Sequence, residues 1–296
     1  MNGRTFRVKP NISAAILAVI TFAIAPRSAV SQPTQTLKAG VHNVDPKTEF
    51  IVGAHYFFGG SKPPNYNKAQ YWLRLSAHQG DADAEDLLGS IYDLGLGVPN
   101  NYTKAAYWYK LAAHQGNASA QYGLGELYDH GQGLPQDYRK AAHWYRLAAL
   151  QGRELAETDL GFMYERGQGV PQNYLKSAHW FRLAAQQGNS FAETSLGFDH
   201  LMGQGVQKDS VRAAKWFRLA AHQNVRIAQY MIGIDYESGS GVPQNYAKAY
   251  FWFDIAAANG EKGAAQQRDT VARLMSAAEL AEAQSQASLY ASQHPQ

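Results

Sequence analysis

Residues 122–152 read YGLGELYDHGQGLPQDYRKAAHWYRLAALQG, and this stretch carries the signals for two helices with a turn between them. Apolar residues recur at helical spacing before Gly131, and Pro135 follows in the turn. Glycine accepts the left-handed conformation that ends a helix, whereas proline cannot continue one. Asp137 is placed to cap the next helix with a side-chain oxygen. We therefore predict helices over 118–130 and 138–150.

The same pattern recurs every 36 residues along most of the chain. A fixed period between about 20 and 50 residues indicates a solenoid, so we predict an all-α array of helix pairs. The recurring tryptophans are Trp72, Trp108, Trp144, Trp180, Trp216 and Trp252; the glycines of the first helix are Gly53, Gly89, Gly125, Gly161, Gly197 and Gly233; the capping residues are Asn65, Asn101, Asp137, Asn173, Asp209 and Asn245.

The period divides residues 45–260 into six units. These are 45–80, 81–116, 117–152, 153–188, 189–224 and 225–260. The fifth unit has His200 in place of a tyrosine and Asn224 in place of a glycine, which predicts either a hinge or simple sequence drift, and we favour drift. Residues 261–296 lose the tryptophan, and Ser276 to Glu279 forms a capping box for a final helix to about Tyr290. We interpret this segment as an end cap.

Two columns of the repeat predict how the helices pack. A glycine inside a helix costs about 1 kcal/mol relative to alanine, so Gly125 and its equivalents are expected where a neighbouring helix approaches closely. That neighbour is expected to be the helix that bears tryptophan. The tryptophan column itself is predicted to form the buried spine of the core.

The stretch 122–152 resembles the Sel-one-like repeat, a relative of the tetratricopeptide repeat. The resemblance covers residues 45–260 and implies a right-handed superhelix of antiparallel helix pairs that scaffolds protein assemblies. Bacterial members of the family are often exported and act in envelope signalling or polysaccharide systems. The family has no shared catalytic residues to transfer. Its cysteine-rich branch, linked with penicillin binding, is disfavoured because this chain has no cysteine.

The N-terminus is typical of a targeting segment. Basic residues, among them Arg4 and Arg7, precede an apolar run over 12–25 that fits the central region of a secretory signal. We predict a signal peptide over 1–31, cleaved after Ser31, and a linker over 32–44, which places the protein in the periplasm or outside the cell. An uncleaved membrane anchor and a buried N-terminal helix are the alternatives.

Charge and motifs exclude several classes of function. The chain carries a net charge of +3, but the basic excess lies in residues 1–31, so the remainder lacks the basic field that nucleic-acid binding requires. Histidines such as His78 and His114 share one phase, yet stacked repeats stand about 10 Å apart, too far for one metal ion. The glycine loops follow helices and are helix terminators rather than phosphate cradles. We predict no cofactor, no metal and no nucleic-acid partner.

A second stripe on the first helix of each unit points away from the core and is expected to line a concave groove. Its carboxylates are expected to face solvent and to attract a basic protein segment. The groove residues that we predict are Phe50, Phe57, Asp93, Tyr122, Glu126, Asp129, Phe162, Glu165, Phe198, Tyr230 and Glu237.

These observations predict an exported, monomeric, non-catalytic scaffold or adaptor that binds a protein segment, with membrane contact only through a retained signal segment. The alternatives are a carbohydrate-binding protein of a polysaccharide system, because tyrosine and phenylalanine rows also suit sugar faces, and a cell-wall hydrolase or β-lactamase-like enzyme.

Overall fold

The structure is a computed structural model that describes residues 45–60 and 62–293, and the predicted signal peptide and linker lie outside these residues. The described residues form fourteen helices and no strand. Six consecutive pairs are α1 (Pro46–Phe58) with α2 (Tyr66–His78), α3 (Ala82–Leu94) with α4 (Tyr102–His114), α5 (Ala118–His130) with α6 (Tyr138–Ala149), α7 (Glu154–Arg166) with α8 (Tyr174–Gln186), α9 (Ser190–Met202) with α10 (Ser210–His222), and α11 (Arg226–Ser238) with α12 (Tyr246–Ala258). Helices α13 (Ala264–Ala272) and α14 (Ala277–Gln293) follow.

The pairs stack into the predicted right-handed superhelical solenoid. We call the first helix of each pair its A helix and the second its B helix. Each A helix packs against its own B helix, and each B helix packs against the A helix of the next repeat. Neighbouring A helices also contact each other, as α1 does with α3 and α3 with α5. The groove-forming stripe therefore lies on a layer of adjacent helices.

The predicted helix caps are confirmed. In all six repeats the capping Asn or Asp accepts a hydrogen bond from a backbone N–H in the first turn of its B helix. Gly131 ends α5 with φ 67°, in the left-handed region that favours glycine. Helix α6 ends one residue earlier than predicted, at Ala149, because Leu150 already serves as its C-cap.

The glycine column meets the B helix as predicted, but the residue that it meets is not tryptophan. A Cβ on Gly125 would lie 2.6 Å from Cδ1 of Tyr145, and a Cβ on Gly161 would lie 2.6 Å from Cδ1 of Phe181. The residue after each tryptophan is thus the one that fills the space beside the glycine. We call this set the core column: Leu73, Tyr109, Tyr145, Phe181, Phe217 and Phe253, all buried.

The tryptophan spine is the prediction that the structure corrects. Trp252 is buried, but the five other tryptophans are only half-buried. A residue and its successor are separated by about 100° around a helix, so only one of them can point directly at the A helix. Trp108 instead bridges two repeats, because it contacts the apolar clusters of both the first and the second unit.

Enlarging a glycine of this column tests the close approach. Gly125→Ala should lower the free energy of unfolding by about 1 to 2 kcal/mol, because overpacking against buried Tyr145 exceeds the gain in helix propensity. The matched control is Gly152→Asn, where an added Cβ meets nothing within 4 Å. Asn224 already adopts φ 67° at the equivalent position, so this change should shift stability by less than about 0.5 kcal/mol in urea melts. Equal losses in both variants would contradict the packing.

Each repeat also contains a buried polar clasp that the periodicity did not predict. The side-chain amide of the residue that follows the B helix, or in the third repeat of the second residue after it, donates to a buried side chain of the A helix in the same repeat. One example is Gln187, whose Nε2 donates to Oε2 of Glu157 over 2.8 Å. These bonds satisfy side chains that the packing of the A helix buries.

The two irregular regions keep the architecture. In the fifth repeat, buried His200 hydrogen-bonds the carbonyl of Gln207 over 3.2 Å, and both helices have the usual length of 13 residues. At the C-terminus, Ser276 and Glu279 form the predicted capping box. Tyr290 of α14 contacts the rings of Phe251 and Trp252, so this helix covers the last repeat. None of the helices in the described part of the chain is long and apolar enough to cross a bilayer.

Candidate functional groove

The predicted groove residues lie on the A helices, and most of them are half-buried rather than fully exposed. The prediction that Phe57 lines the groove is wrong, because its side chain is buried and only 6% exposed. Its ring packs edge-on against Phe58 and Tyr66, with centroids 4.9 and 5.8 Å away. Phe57 therefore belongs to the core of the first repeat and offers no surface to a partner.

The groove aromatics rest on the core column. Tyr122 lies 5.6 Å from Tyr145, and Phe162 lies 4.9 Å from Phe181, measured between ring centroids. The rings of Phe198 and Tyr230 have the same relation to Phe217 and Phe253. This packing fixes the orientation of each ring, so a bound segment would meet a preformed surface.

Two arginines already cover groove aromatics. The guanidinium of Arg153 lies 5.4 Å from the centre of the Tyr122 ring, and that of Arg166 lies 5.0 Å from the centre of Phe162. Such cation–π contacts show that these ring faces accept positive charge. A basic partner residue would have to share the rings with these arginines or displace them.

Carboxylates gather in the second to fourth repeats. Tyr122 donates its hydroxyl hydrogen to Oδ2 of Asp159 over 3.1 Å, and Tyr109 donates to Oδ2 of Asp93 over 3.3 Å. Glu126 interacts electrostatically with both carboxylates, and Asp129 interacts with Asp159. We call Asp93, Glu126, Asp129 and Asp159 the acidic patch.

The acidic patch is less solvated than the sequence predicted. Burial raises the pKa of Glu126 to about 7, with further contributions from the negative charges of Asp159 and Asp93. Burial also raises the pKa of Asp159 to about 6, against the lowering effect of its hydrogen bond from Tyr122. The pKa values of Asp93 and Asp129 are raised by the same cause. The prediction of a fully solvent-facing row is therefore wrong, because the carboxylates lie between packed A helices.

The predicted carboxylate row is also not continuous. In the fifth repeat the position of the carboxylate residue is occupied by Leu201. In the sixth repeat Oε2 of Glu237 accepts a hydrogen bond from Gln267 of α13 over 3.3 Å. Burial raises the pKa of both Glu165 and Glu237, but neither is coupled to the acidic patch. The predicted row is thus interrupted at the fifth repeat, whereas the acidic patch lies in the second to fourth repeats.

Asp159 is the functional candidate that sequence reasoning missed. It shares its phase with Gly123, a column with no recurrent chemistry, so the period gave no signal for it. In the structure Asp159 accepts a hydrogen bond from Tyr122, which is one of the predicted groove residues. Residues 45–60 and 62–293 contain no group of three or more His, Asp or Glu side chains that could hold a metal ion.

Comparison with known proteins identifies the repeat. The Sel1 repeat family matches residues 46–81, 82–117, 118–152, 155–189, 190–225 and 226–261. A protective antigen of uropathogenic Escherichia coli that displays an SLR fold is 33% identical with a TM-score of 0.76. That match covers 84% of this chain and 53% of the antigen, so this chain spans about half of the antigen's length.

A Sel1 repeat protein from Oxalobacter formigenes is also 33% identical, with a TM-score of 0.66, over 77% of this chain and 66% of that one. A search of curated proteins gave no match.

Proposed function

Because the chain belongs to the Sel1 repeat family, whose repeats generally mediate contacts between proteins, we propose that it is a non-catalytic scaffold that binds a basic protein segment in its groove. The observation that carries the proposal is the acidic patch beside the fixed ring of Tyr122. Carboxylates at the edge of an apolar surface orient a segment that combines Lys or Arg with an apolar residue.

The raised pKa values give this proposal a pH dependence. Near pH 5.5 the carboxyls of Glu126 and Asp159, with pKa values of about 7 and 6, are largely protonated. They ionise as the pH rises through this window, and a bound cation favours the ionised form further. Capture of a basic segment should therefore strengthen as the pH rises.

The test uses labelled peptides of about twelve residues in which Lys or Arg flanks Leu or Phe, titrated by fluorescence anisotropy. Affinity should rise severalfold between about pH 5.5 and about pH 8. Glu126→Gln with Asp159→Asn should weaken binding by about tenfold and remove most of that pH dependence.

The matched control is Asp269→Asn with Glu282→Gln, which removes two exposed charges from the C-terminal helices. This control should bind like the parent protein. Peptides with Asp or Glu in place of the basic residues should not bind. Binding that is equally strong at both pH values and in both variants would show that the acidic patch is not the site.

The proposal includes export to the periplasm or beyond the cell, supported by the basic and apolar composition of residues 1–31. Fractionation of cells that express tagged full-length protein tests this part. The protein should appear in the periplasm or the medium, or in the membrane fraction if the signal segment is retained, and recovery from the cytoplasm would contradict export. Carbohydrate binding is less well supported by the groove, because Arg153 and Arg166 cover the faces of Tyr122 and Phe162 that a sugar ring would need.

A further inference from the structure

The charges of this solenoid are separated by helix type. In the first five repeats, Lys and Arg are the only formally charged residues of the B helices. Acidic residues outnumber basic ones in every A helix from α3 to α11. Beyond residue 31 the chain is therefore close to neutral overall, yet it has one acidic layer and one basic layer. Overall composition alone does not reveal this separation.

The basic layer has a regular exposed surface. On each B helix, the phases of Arg139, His143, Arg146 and Leu150 fall within about 60° of one another, which makes them one face of the helix. We call this face, in the first five repeats, the outer stripe. One of its columns is entirely cationic and exposed: Arg74, Lys110, Arg146, Arg182 and Arg218.

Most of these cations have no ion-pair partner within the described residues. Arg74 donates a hydrogen bond to the hydroxyl of Tyr92 over 2.6 Å. Within the ranges that the structure describes, the other four members of the column have no ion-pair partner. In the sixth repeat the column ends at Asp254, which pairs with Arg268 over 3.0 Å. The outer stripe is thus a surface of uncompensated positive charge.

Large apolar side chains project from the same stripe. Leu175 is 72% exposed, Leu150 69% and Val211 65%. Tyr71 and Tyr107 are also exposed and contact the rims of Trp72 and Trp108 with centroids 5.4 and 5.0 Å away. Exposed aliphatic and aromatic residues among Lys and Arg, without carboxylates, are typical of a surface that lies on a bilayer.

From these features we infer that the outer stripe docks on the surface of a membrane that contains anionic lipids. The guanidinium and ammonium groups contact lipid headgroups, and the exposed Leu, Val and Tyr side chains enter the interfacial region. The apolar side chains favour a lipid surface over a soluble polyanion, which would satisfy the cations but leave those side chains in water. This contact is peripheral and requires no membrane-spanning helix.

The test is flotation of residues 45–296 with vesicles of phosphatidylcholine that contain about one third phosphatidylglycerol. Arg146→Glu, Arg182→Glu and Arg218→Glu together should weaken binding by about 100-fold or more, because each lost cation contributes a factor of about five. The matched control is Lys208→Glu, Lys262→Glu and Arg273→Glu, which changes the net charge equally at exposed sites outside the B helices. It should retain most of the binding.

A double variant tests the apolar part. Leu175→Asn with Val211→Thr should weaken vesicle binding severalfold without changing its salt dependence, since the charges remain. Circular dichroism melts confirm that every variant is folded.

Vesicles of phosphatidylcholine alone should not bind. The inference is overturned if the two triple variants lose binding equally. It is also overturned if polyphosphate in solution binds as tightly as vesicles with no effect of the Leu175 and Val211 changes, which would indicate a site for soluble polyanions.

Discussion

Phe181→Ala should destabilise the array by about 3 to 5 kcal/mol, the range for removing a fully buried aromatic ring from a core. Phe181 is 0% exposed, and its ring fills the space beside Gly161 and supports Phe162 of the groove. Urea denaturation followed by circular dichroism measures the loss. Because the fourth repeat is internal, the change should also loosen its neighbours, which stack on it directly.

The adjacent tryptophan supplies the matched comparison. Trp180 is half-buried, so Trp180→Ala should cost roughly half as much as Phe181→Ala despite the larger side chain. The sequence pattern alone predicts the reverse order, since tryptophan occupies its column in all six repeats whereas the residue after it varies. A larger loss for Trp180→Ala would restore the tryptophan spine.

The last two repeats should become less stable as the pH rises from about 5 to about 8. Asp199 and Asp235 are each 3% exposed and occupy the phase that Leu127 and Met163 fill in earlier repeats. In each of them Oδ2 is buried without a hydrogen-bond partner. Burial raises both pKa values to about 7, and the negative charge of Glu165 contributes at Asp199.

The direction of the effect follows from which state holds the proton. In the unfolded chain an aspartate has a pKa of about 3.9, so between that value and about 7 the folded state binds more protons than the unfolded state. Stability therefore falls as the pH rises through this window, and the full penalty is present above it. Relaxation and water entry reduce such penalties, so we expect about 1 to 2 kcal/mol for each carboxyl.

Two double variants separate charge from packing. Asp199→Asn with Asp235→Asn should remove the contribution of these groups to the pH dependence, because amides do not ionise. Asp199→Leu with Asp235→Leu should do the same and raise stability near pH 8 by about 2 to 4 kcal/mol in total, since leucine fits the equivalent site at Leu127. Urea melts followed by circular dichroism at about pH 5 and about pH 8 measure the stability of each variant, and hydrogen exchange of residues 189–260 reports on these two repeats. An unchanged pH dependence in both variants would refute the assignment.

The sequence predicted local structure well because its signals are local. Capping side chains, left-handed glycines and the period act within a few residues, and Asp137 and Gly131 stand where they were expected. Whether Trp180 or Phe181 points into the core depends on how helix α8 is rotated about its axis, because consecutive residues lie about 100° apart around a helix. The core column also varies among Leu, Tyr and Phe, which hides its role behind the uniform tryptophan column.

The site was predicted less completely, because burial and electrostatic coupling depend on contacts between repeats. The period identified Tyr122, Glu126 and Asp129, but Asp159 joins them only through the packing of α5 beside α7. Phe57 shows the opposite error. It has the right phase for the groove, yet it folds onto Tyr66 in the core.

The division of charge between A and B helices determines how the whole molecule orients in an electric field. Two oppositely charged layers form a dipole directed across the stack of repeats, and a dipole in the field of a negative surface experiences a torque. The array would turn its basic layer toward that surface before any contact forms. The acidic groove would then face away, so that anchoring on one side and capture on the other do not compete for space.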